Sequence, residues 1–207
     1  MKPAKSILII ALFIVTFLTG CAGGGETYAQ FTVEDVISIF ENKSEPAQSP
    51  PAQNITSQKD TISIASFNIQ VFGKTKASKP GVMDTIVKII SQFDIVAIQE
   101  IRDKSGPAIV KLENMMDATG TDYNYVIGPR LGRTSSKEQY AYMYRADTIE
   151  PIDCITMEDS FDVFHREPYM CSFKVKNGTF DFVLITIHTD PDDATAEIEA
   201  LLTLMVS

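Results

Sequence analysis

Asp94-Ile95-Val96-Ala97-Ile98-Gln99-Glu100-Ile101 is a continuous apolar run closed by a polar pair. A run this short that does not alternate is the pattern of a strand buried on both faces, as at the centre of an α/β sheet. Upstream, Pro80 to Phe93 sets Val82, Ile86, Ile89, Ile90 and Phe93 at helical spacing. Before that, Thr61 to Phe72 alternates toward a strand through Ile62, Ile64, Phe67, Ile69 and Val71. Downstream, Ser105 to Thr119 is again helical, with Ile109, Leu112, Met115 and Met116 on one side. Strand-like runs follow at Tyr123–Pro129, Gln139–Arg145, Glu150–Met157, Glu167–Val175 and Phe180–Thr189, then a helical run at Ala194–Met205. Strand–helix–strand followed by a meander predicts an α/β (α+β) domain over residues 61–207, one mixed sheet with helices on one face.

The N-terminal 60 residues have a different character. Lys2 and Lys5 precede an apolar stretch, Ser6 to Leu18, and no further charge occurs before Glu26. The stretch is too short for a comfortable membrane span of roughly 20 residues and suits a cleaved export leader. It ends in Leu18-Thr19-Gly20-Cys21, which resembles the lipobox of bacterial-type lipoproteins. That resemblance implies a leader over residues 1–20, lipid attachment at Cys21, and an exported protein held at the cell surface or outer face of a membrane. Residues 21–60 read as a tether and linker. They hold three consecutive glycines, a short helical pattern (Val33, Val36, Ile37, Phe40) behind a Thr32 cap, and a Pro/Ser/Gln-rich segment from Ser44 to Asp60. Two cysteines are then left, Cys154 and Cys171, both in strand-like runs. Export permits a disulfide between them; two buried thiols are equally consistent with the sequence.

The chain of 207 residues carries a formal net charge of -9, with 44% hydrophobic and 22% charged residues. This is the composition of a folded domain. The acidic balance argues against a dedicated non-specific DNA binder, which needs a basic face to displace counterions from phosphate. It leaves room for an enzyme whose site carries a divalent cation.

Four places stand out chemically. Asn68 interrupts an apolar strand, and a buried amide must be hydrogen-bonded or bind something. Glu100 closes the most hydrophobic strand, where ligands of α/β sheets gather and where a carboxylate suits a hard cation. Gly132-Arg133-Thr134-Ser135-Ser136-Lys137-Glu138 is a polar, basic segment between two strands, suited to phosphate or simply an exposed loop. His188 ends the strand Phe182-Val183-Leu184-Ile185-Thr186-Ile187, and histidine exchanges protons near neutral pH. Each also has a structural reading: a satisfied asparagine, a solvated strand end, a hairpin loop, a core histidine.

In order, Ser66-Phe67-Asn68-Ile69, Ile98-Gln99-Glu100, the segment Gly132 to Tyr140, Arg166-Glu167-Pro168, and His188-Thr189-Asp190-Pro191 through Ala196-Glu197-Ile198 resemble the endonuclease/exonuclease/phosphatase superfamily, and within it the deoxyribonuclease I-like nucleases. The resemblance implies that Asn68 and Glu100 help hold a divalent cation, Mg²⁺ with Mn²⁺ or Ca²⁺ as alternatives. It implies that Arg102 and Arg166 contact phosphate, that His188 sits at the scissile phosphate, and that Glu138 orients it. The implied activity is metal-dependent hydrolysis of phosphodiesters in nucleic acid, DNA before RNA. The alternatives are another phosphodiester or phosphate ester (phospholipid or sugar phosphate), and a non-catalytic surface lipoprotein.

The family's Gly-Asp-Phe-Asn and Ser-Asp-His motifs do not occur in these residues, and Ser136 stands where the deoxyribonuclease I-like pattern has a minor-groove tyrosine. The expected fold is therefore one mixed-sheet half of the four-layer α/β/β/α sandwich, a truncated form of low activity. Alone, that half would leave an apolar sheet face larger than the few hundred Å² a monomer usually exposes.

Overall fold

The computed structural model describes residues 61–178 and 180–206, together with the backbone of residues 10–15. The expected lipidation site Cys21 and the tether over 21–60 lie outside the described residues, as does most of the expected leader.

The described elements, in chain order, are β1 (Ile10–Val15), β2 (Ile64–Phe72), α1 (Lys74–Ala77), α2 (Pro80–Ile90), β3 (Ile95–Ile101), α3 (Pro107–Asp117), β4 (Tyr123–Ile127), β5 (Gln139–Arg145), β6 (Ile149–Thr156), β7 (Tyr169–Val175), β8 (Asp181–His188) and α4 (Ala194–Val206). Helices start where the sequence supplies a start. Pro80 and Pro107 occupy first-turn positions, where a missing N–H is harmless. Ahead of α3, Gly106 adopts φ +92°, a left-handed conformation that favours glycine. The Asp103 carboxylate accepts the Ala108 N–H at 2.9 Å, satisfying one of the orphan donors of that first turn. α2 buries Met83, Ile86, Val87 and Ile90, its i, i+3, i+4, i+7 face.

The first sheet has the order β2-β3-β5-β4, with β2 parallel to β3 and the other pairs antiparallel. The second has the order β1-β8-β7-β6, with β1 parallel to β8 and an antiparallel meander beyond it. Val96, Ile98, Ala141 and Met143 of the first sheet pack against α2 and α3. Ile185 and Ile187 of the second pack with Leu201 of α4. Between the sheets, Ile95, Ala97, Tyr140, Tyr142 and Tyr144 meet Tyr169, Cys171, Phe173, Phe182 and Leu184.

The α/β class and the mixed first sheet are as expected, with all of the long elements close to the predicted spans. The allotment of strands is not: β6, β7 and β8 form a second sheet facing the first. The cause lies after β5, where a turn at Ala146–Thr148 returns the chain on the far side of the Tyr140/Tyr142/Tyr144 face. That face is covered by aromatic side chains of the second sheet, so the expected bare apolar face does not arise. Cys154 and Cys171 are directly opposed in the β6–β7 ladder and form a disulfide, which decides between the two readings left open above.

Candidate active site

Strand alternation places the site groups in the layer between the sheets. Along β3, Ile95 and Ala97 face the second sheet while Val96 and Ile98 face the helices. A regular strand would send Glu100 to the helix side. Instead Glu100 has φ +61°, and the ladders to both neighbours shift register here, between Asn68 and Phe72 and between Ile98 and Ile101. This bulge turns the carboxylate toward the end of β2, as bulges near functional sites commonly do. There it accepts the Asn68 amide at 3.0 Å and the Val71 N–H at 2.8 Å, with Arg102 Nη2 at 3.2 Å. Burial pushes the Glu100 carboxyl up, but the Asn68 and Val71 hydrogen bonds and the charges of Arg102 and His188 outweigh it, and the group is held below the ordinary glutamate range. Gln70 and Val71 share the left-handed conformation, both at φ +54°.

Glu138 is positioned by a loop closure. Its N–H and C=O both bond Leu131, at 3.0 and 2.8 Å, bracketing residues 132–137, and Gly132 turns that loop at φ +123°. The Glu138 side chain is 1% exposed. Its Oε1 lies 2.5 Å from His188 Nδ1 and 2.7 Å from Arg166 Nε, and its Oε2 lies 3.4 Å from Arg102 Nη2. His188 is also held through its backbone: its N–H donates to the Tyr140 hydroxyl at 2.8 Å, and its carbonyl accepts Arg166 Nη1 at 3.0 Å. The His188 Nε2 faces Glu100 Oε1 at 3.9 Å. Asn68, Glu100, Arg102, Glu138, Arg166 and His188 thus meet at the same end of the sandwich, from three strands and the three segments outside them. His165, the other histidine, lies with Asp190 at 3.4 Å.

Three polar atoms here are buried without a hydrogen bond: Arg102 Nε, Arg166 Nε and Glu138 Oε2. Arg166 Nε is close to Glu138, but as an ion pair without hydrogen-bond geometry. The buried donor left over on the Arg102 guanidinium suits an added anion, since native structures rarely strand such groups. For a metal, the available donors are the ionised Glu100 and the Asn68 amide oxygen. Among the described residues no group of three or more His, Cys, Asp and Glu could hold an ion by itself. The donor set nevertheless fits Mg²⁺, which is ordinarily held by one or two carboxylates with water and substrate phosphate oxygens completing the shell.

Sequence reasoning assigned no role to Tyr140 or Glu197. Glu197, fully buried, accepts the His165 N–H at 2.6 Å and the Asp190 N–H at 3.1 Å. It ties together the segments that carry Arg166 and His188. Burial pushes its carboxyl up, against the two backbone hydrogen bonds. Both side chains stand in the motifs given above; the signal available was a carboxylate in the first turn of a largely apolar helix and a tyrosine at an inward position two residues after Glu138.

Residues 65–201 match the Endonuclease/Exonuclease/phosphatase family. The chain belongs to that family. Human deoxyribonuclease-1 is 38% identical over 148 residues, covering 68% of this chain and 52% of its own length. Human deoxyribonuclease gamma is 37% identical over 146 residues, covering 67% of this chain and 48% of its own. The chain therefore spans about half the length of the curated relatives it matches. Among solved structures, an endonuclease/exonuclease/phosphatase family protein from Bacteroides thetaiotaomicron aligns with a TM-score of 0.50 at 20% identity, covering 70% of this chain and 56% of its own, and so shares the fold. The matched segment runs from β2 into α4 and contains all six side chains gathered at the site.

Proposed function

We propose that this site performs metal-dependent hydrolysis of phosphodiesters in nucleic acid, with DNA as the substrate. The observation that carries the proposal is the Glu138–His188 pair at 2.5 Å, flanked by the guanidinium groups of Arg166 and Arg102, the latter with a buried N–H donor left over. The names of the relatives, deoxyribonuclease-1 and deoxyribonuclease gamma, favour DNA. With the Nδ1–H donating to Glu138, the His188 ring presents its Nε2 lone pair, the arrangement of a general base that takes a proton from an attacking water. Glu138 fixes the tautomer and stabilises the imidazolium that forms. Arg102 and Arg166 bind the phosphate and oppose the negative charge that develops on its oxygens. Glu100 and Asn68 would hold the cation, Mg²⁺ in the first instance, which supplies Lewis-acid stabilisation of the same charge. The test is plasmid nicking with Mg²⁺ or Mn²⁺ and a chelator control. The chain alone supplies few metal ligands, so turnover is expected to be low and the ratio between variants is decisive. His188→Ala should lower the chelator-sensitive rate by at least about 10². Nicking that ignores both chelator and His188→Ala would refute the assignment.

The leader reading joins the proposal as its cellular setting: export, lipid attachment at Cys21, and a site held outside the membrane; removal of residues 1–20 would take β1 away and leave β8 as the edge of the second sheet. Lipid chains contribute about 0.8 kcal/mol per buried methylene, enough for stable anchoring when several are present. In a lipoprotein-processing host, Cys21→Ser should leave the membrane fraction or stay unprocessed; unchanged processing and partition would exclude it.

A further inference from the structure

One step deeper than the site, the layer between the sheets contains a second polar group that touches none of the reacting positions. Gln99 and Thr186 are both fully buried, on β3 of the first sheet and β8 of the second. The Gln99 amide donates to Thr186 Oγ1 at 2.7 Å across the gap, and to Ser66 Oγ of β2 at 3.0 Å within its own sheet. Its side chain thus links three strands and both sheets. Elsewhere in the layer the sheets meet ring against ring, as between Tyr142 and Phe173, and through two hydroxyls of β5: Tyr142 donates to the Tyr169 and Leu184 carbonyls at 2.9 and 3.0 Å, and Tyr140 accepts the His188 N–H. Packed apolar residues of similar shape could replace this polar group at little cost in stability, because hydrogen-bonded partners gain little net over water while each is costly when orphaned. Stability alone is therefore a weak reason for a buried amide here.

Position supplies a better one. Ser66 lies two residues before Asn68, Gln99 one before Glu100, and Thr186 two before His188. A period of two puts Ser66 on the same face as Asn68 and Thr186 on the same face as His188. A hydrogen bond tolerates little change in distance or angle, whereas apolar surfaces slide past one another more readily. The Ser66–Gln99–Thr186 chain therefore ties β8 directly to β3 beneath the site, whereas the tyrosine hydroxyls tie β8 to β5. The quantity it governs is the separation of His188 Nε2 from Glu100 Oε1, 3.9 Å in this structure.

We infer that Gln99, through its hydrogen bond to Thr186, is a positioning residue that holds the histidine strand in register with the metal-carboxylate strand. Its functional meaning rests on the phosphodiesterase reading above; its structural effect does not. Four variants of the full chain, solubilised in mild detergent, separate the possibilities: Gln99→Leu, Thr186→Val, the two combined, and Thr186→Ser. Each is followed by urea unfolding, by the imidazole ¹⁵N resonances of His188 without metal, and by the affinity for Mn²⁺ alone. With only two histidines in the chain, the assignment of His188 is direct.

Either single apolar variant strands a buried partner and should unfold more easily. The double variant, which removes both partners, should regain most of that stability. In all three the His188 Nδ1 resonance should move away from its carboxylate-bonded value, and Mn²⁺ should bind about tenfold more weakly, the usual scale for groups that orient ligands. Thr186→Ser keeps the hydroxyl and should retain the wild-type resonance and affinity. A double variant that is stable and has wild-type His188 resonances and Mn²⁺ affinity would overturn the inference, leaving the link a packing feature only. Thr186→Ser behaving like Thr186→Val would overturn it too. If the wild-type chain binds no Mn²⁺, the functional reading of the site fails, while the His188 resonances still decide the positioning role.

Discussion

The two ends of the layer between the sheets use the same strands for opposite purposes. At the start of β3 and β8 the inward positions are Ile95, Phe182 and Leu184, facing Tyr144 and Phe173. Phe173 stacks on Phe182 at a centroid distance of 5.6 Å and meets Tyr142 edge-on at 5.4 Å. Further along the same strands the inward positions are Gln99, Thr186 and His188, joined by Glu138 from the segment before β5, all buried and all polar. The aromatic end gains free energy from every ring it removes from water, and its geometry can relax. The polar end gains little from burial and depends on each partner staying in place. Cohesion and reactivity are thus kept in one core but at separate ends, and the aromatic end supplies the stability on which the polar end relies.

The sharpest separation of the two ends comes from Phe173→Ala. It should destabilise the fold by about 3–5 kcal/mol through lost burial and an unfilled cavity. Molecules still folded should keep the wild-type His188 environment. Urea unfolding gives the first quantity and the His188 ring resonances the second; a large change in those resonances without global unfolding would show that the ends are coupled.

A smaller effect is expected at β6–β7. The Cys154–Cys171 disulfide closes a loop with a sequence separation of 17, which corresponds to about 3 kcal/mol in the chain-entropy picture. Cys154→Ala combined with Cys171→Ala should lower the urea midpoint accordingly and leave Mn²⁺ binding unchanged, since neither sulfur approaches the polar end. A midpoint insensitive to the double substitution would count against the bridge as a determinant of stability.

The smallest effect is the pH dependence of the polar end. Glu100 is held below its ordinary range in the folded chain, so its contribution to stability is present above the unfolded value and lost as pH falls through the folded one. Glu197, pushed up by burial, acts in the opposite sense: its contribution is present in acid and lost as pH rises. Glu100→Gln should therefore flatten the acid side of the metal-free stability profile. An acid limb as steep as that of the wild type would mean that other carboxylates set it.

Much of the fold was legible because the long elements carry strong periodicity. The unbroken run from Ile95 to Ile98 marked the central strand, and Gln139–Arg145 coincides with β5. The division into two sheets was not legible. Alternation tells which side chains share a face of a strand, but not which other strand covers that face. Tyr140, Tyr142 and Tyr144 share one face of β5, and nothing local in the sequence names Phe173 and Phe182 as its cover. α1, at four residues, is too short to show a helical repeat. The gathering of Asn68, Glu100, Glu138 and His188 was anticipated through family resemblance, since each residue alone had an ordinary structural reading. Gln99 and Thr186 gave a weaker signal, polar residues near the ends of two apolar runs, and only the contact between the sheets gives that signal a meaning.

The left-handed backbone at Glu100 has a consequence for reaction dynamics. A non-glycine residue in that region sits about 1–2 kcal/mol above its relaxed conformation. Here the Val71 N–H, the Asn68 amide and the flanking ladders restrain it, so the penalty is incurred once, during folding. In the proposed reaction no comparable rearrangement of the carboxylate would then have to accompany each arriving phosphate, and the barrier would carry little contribution from moving this group.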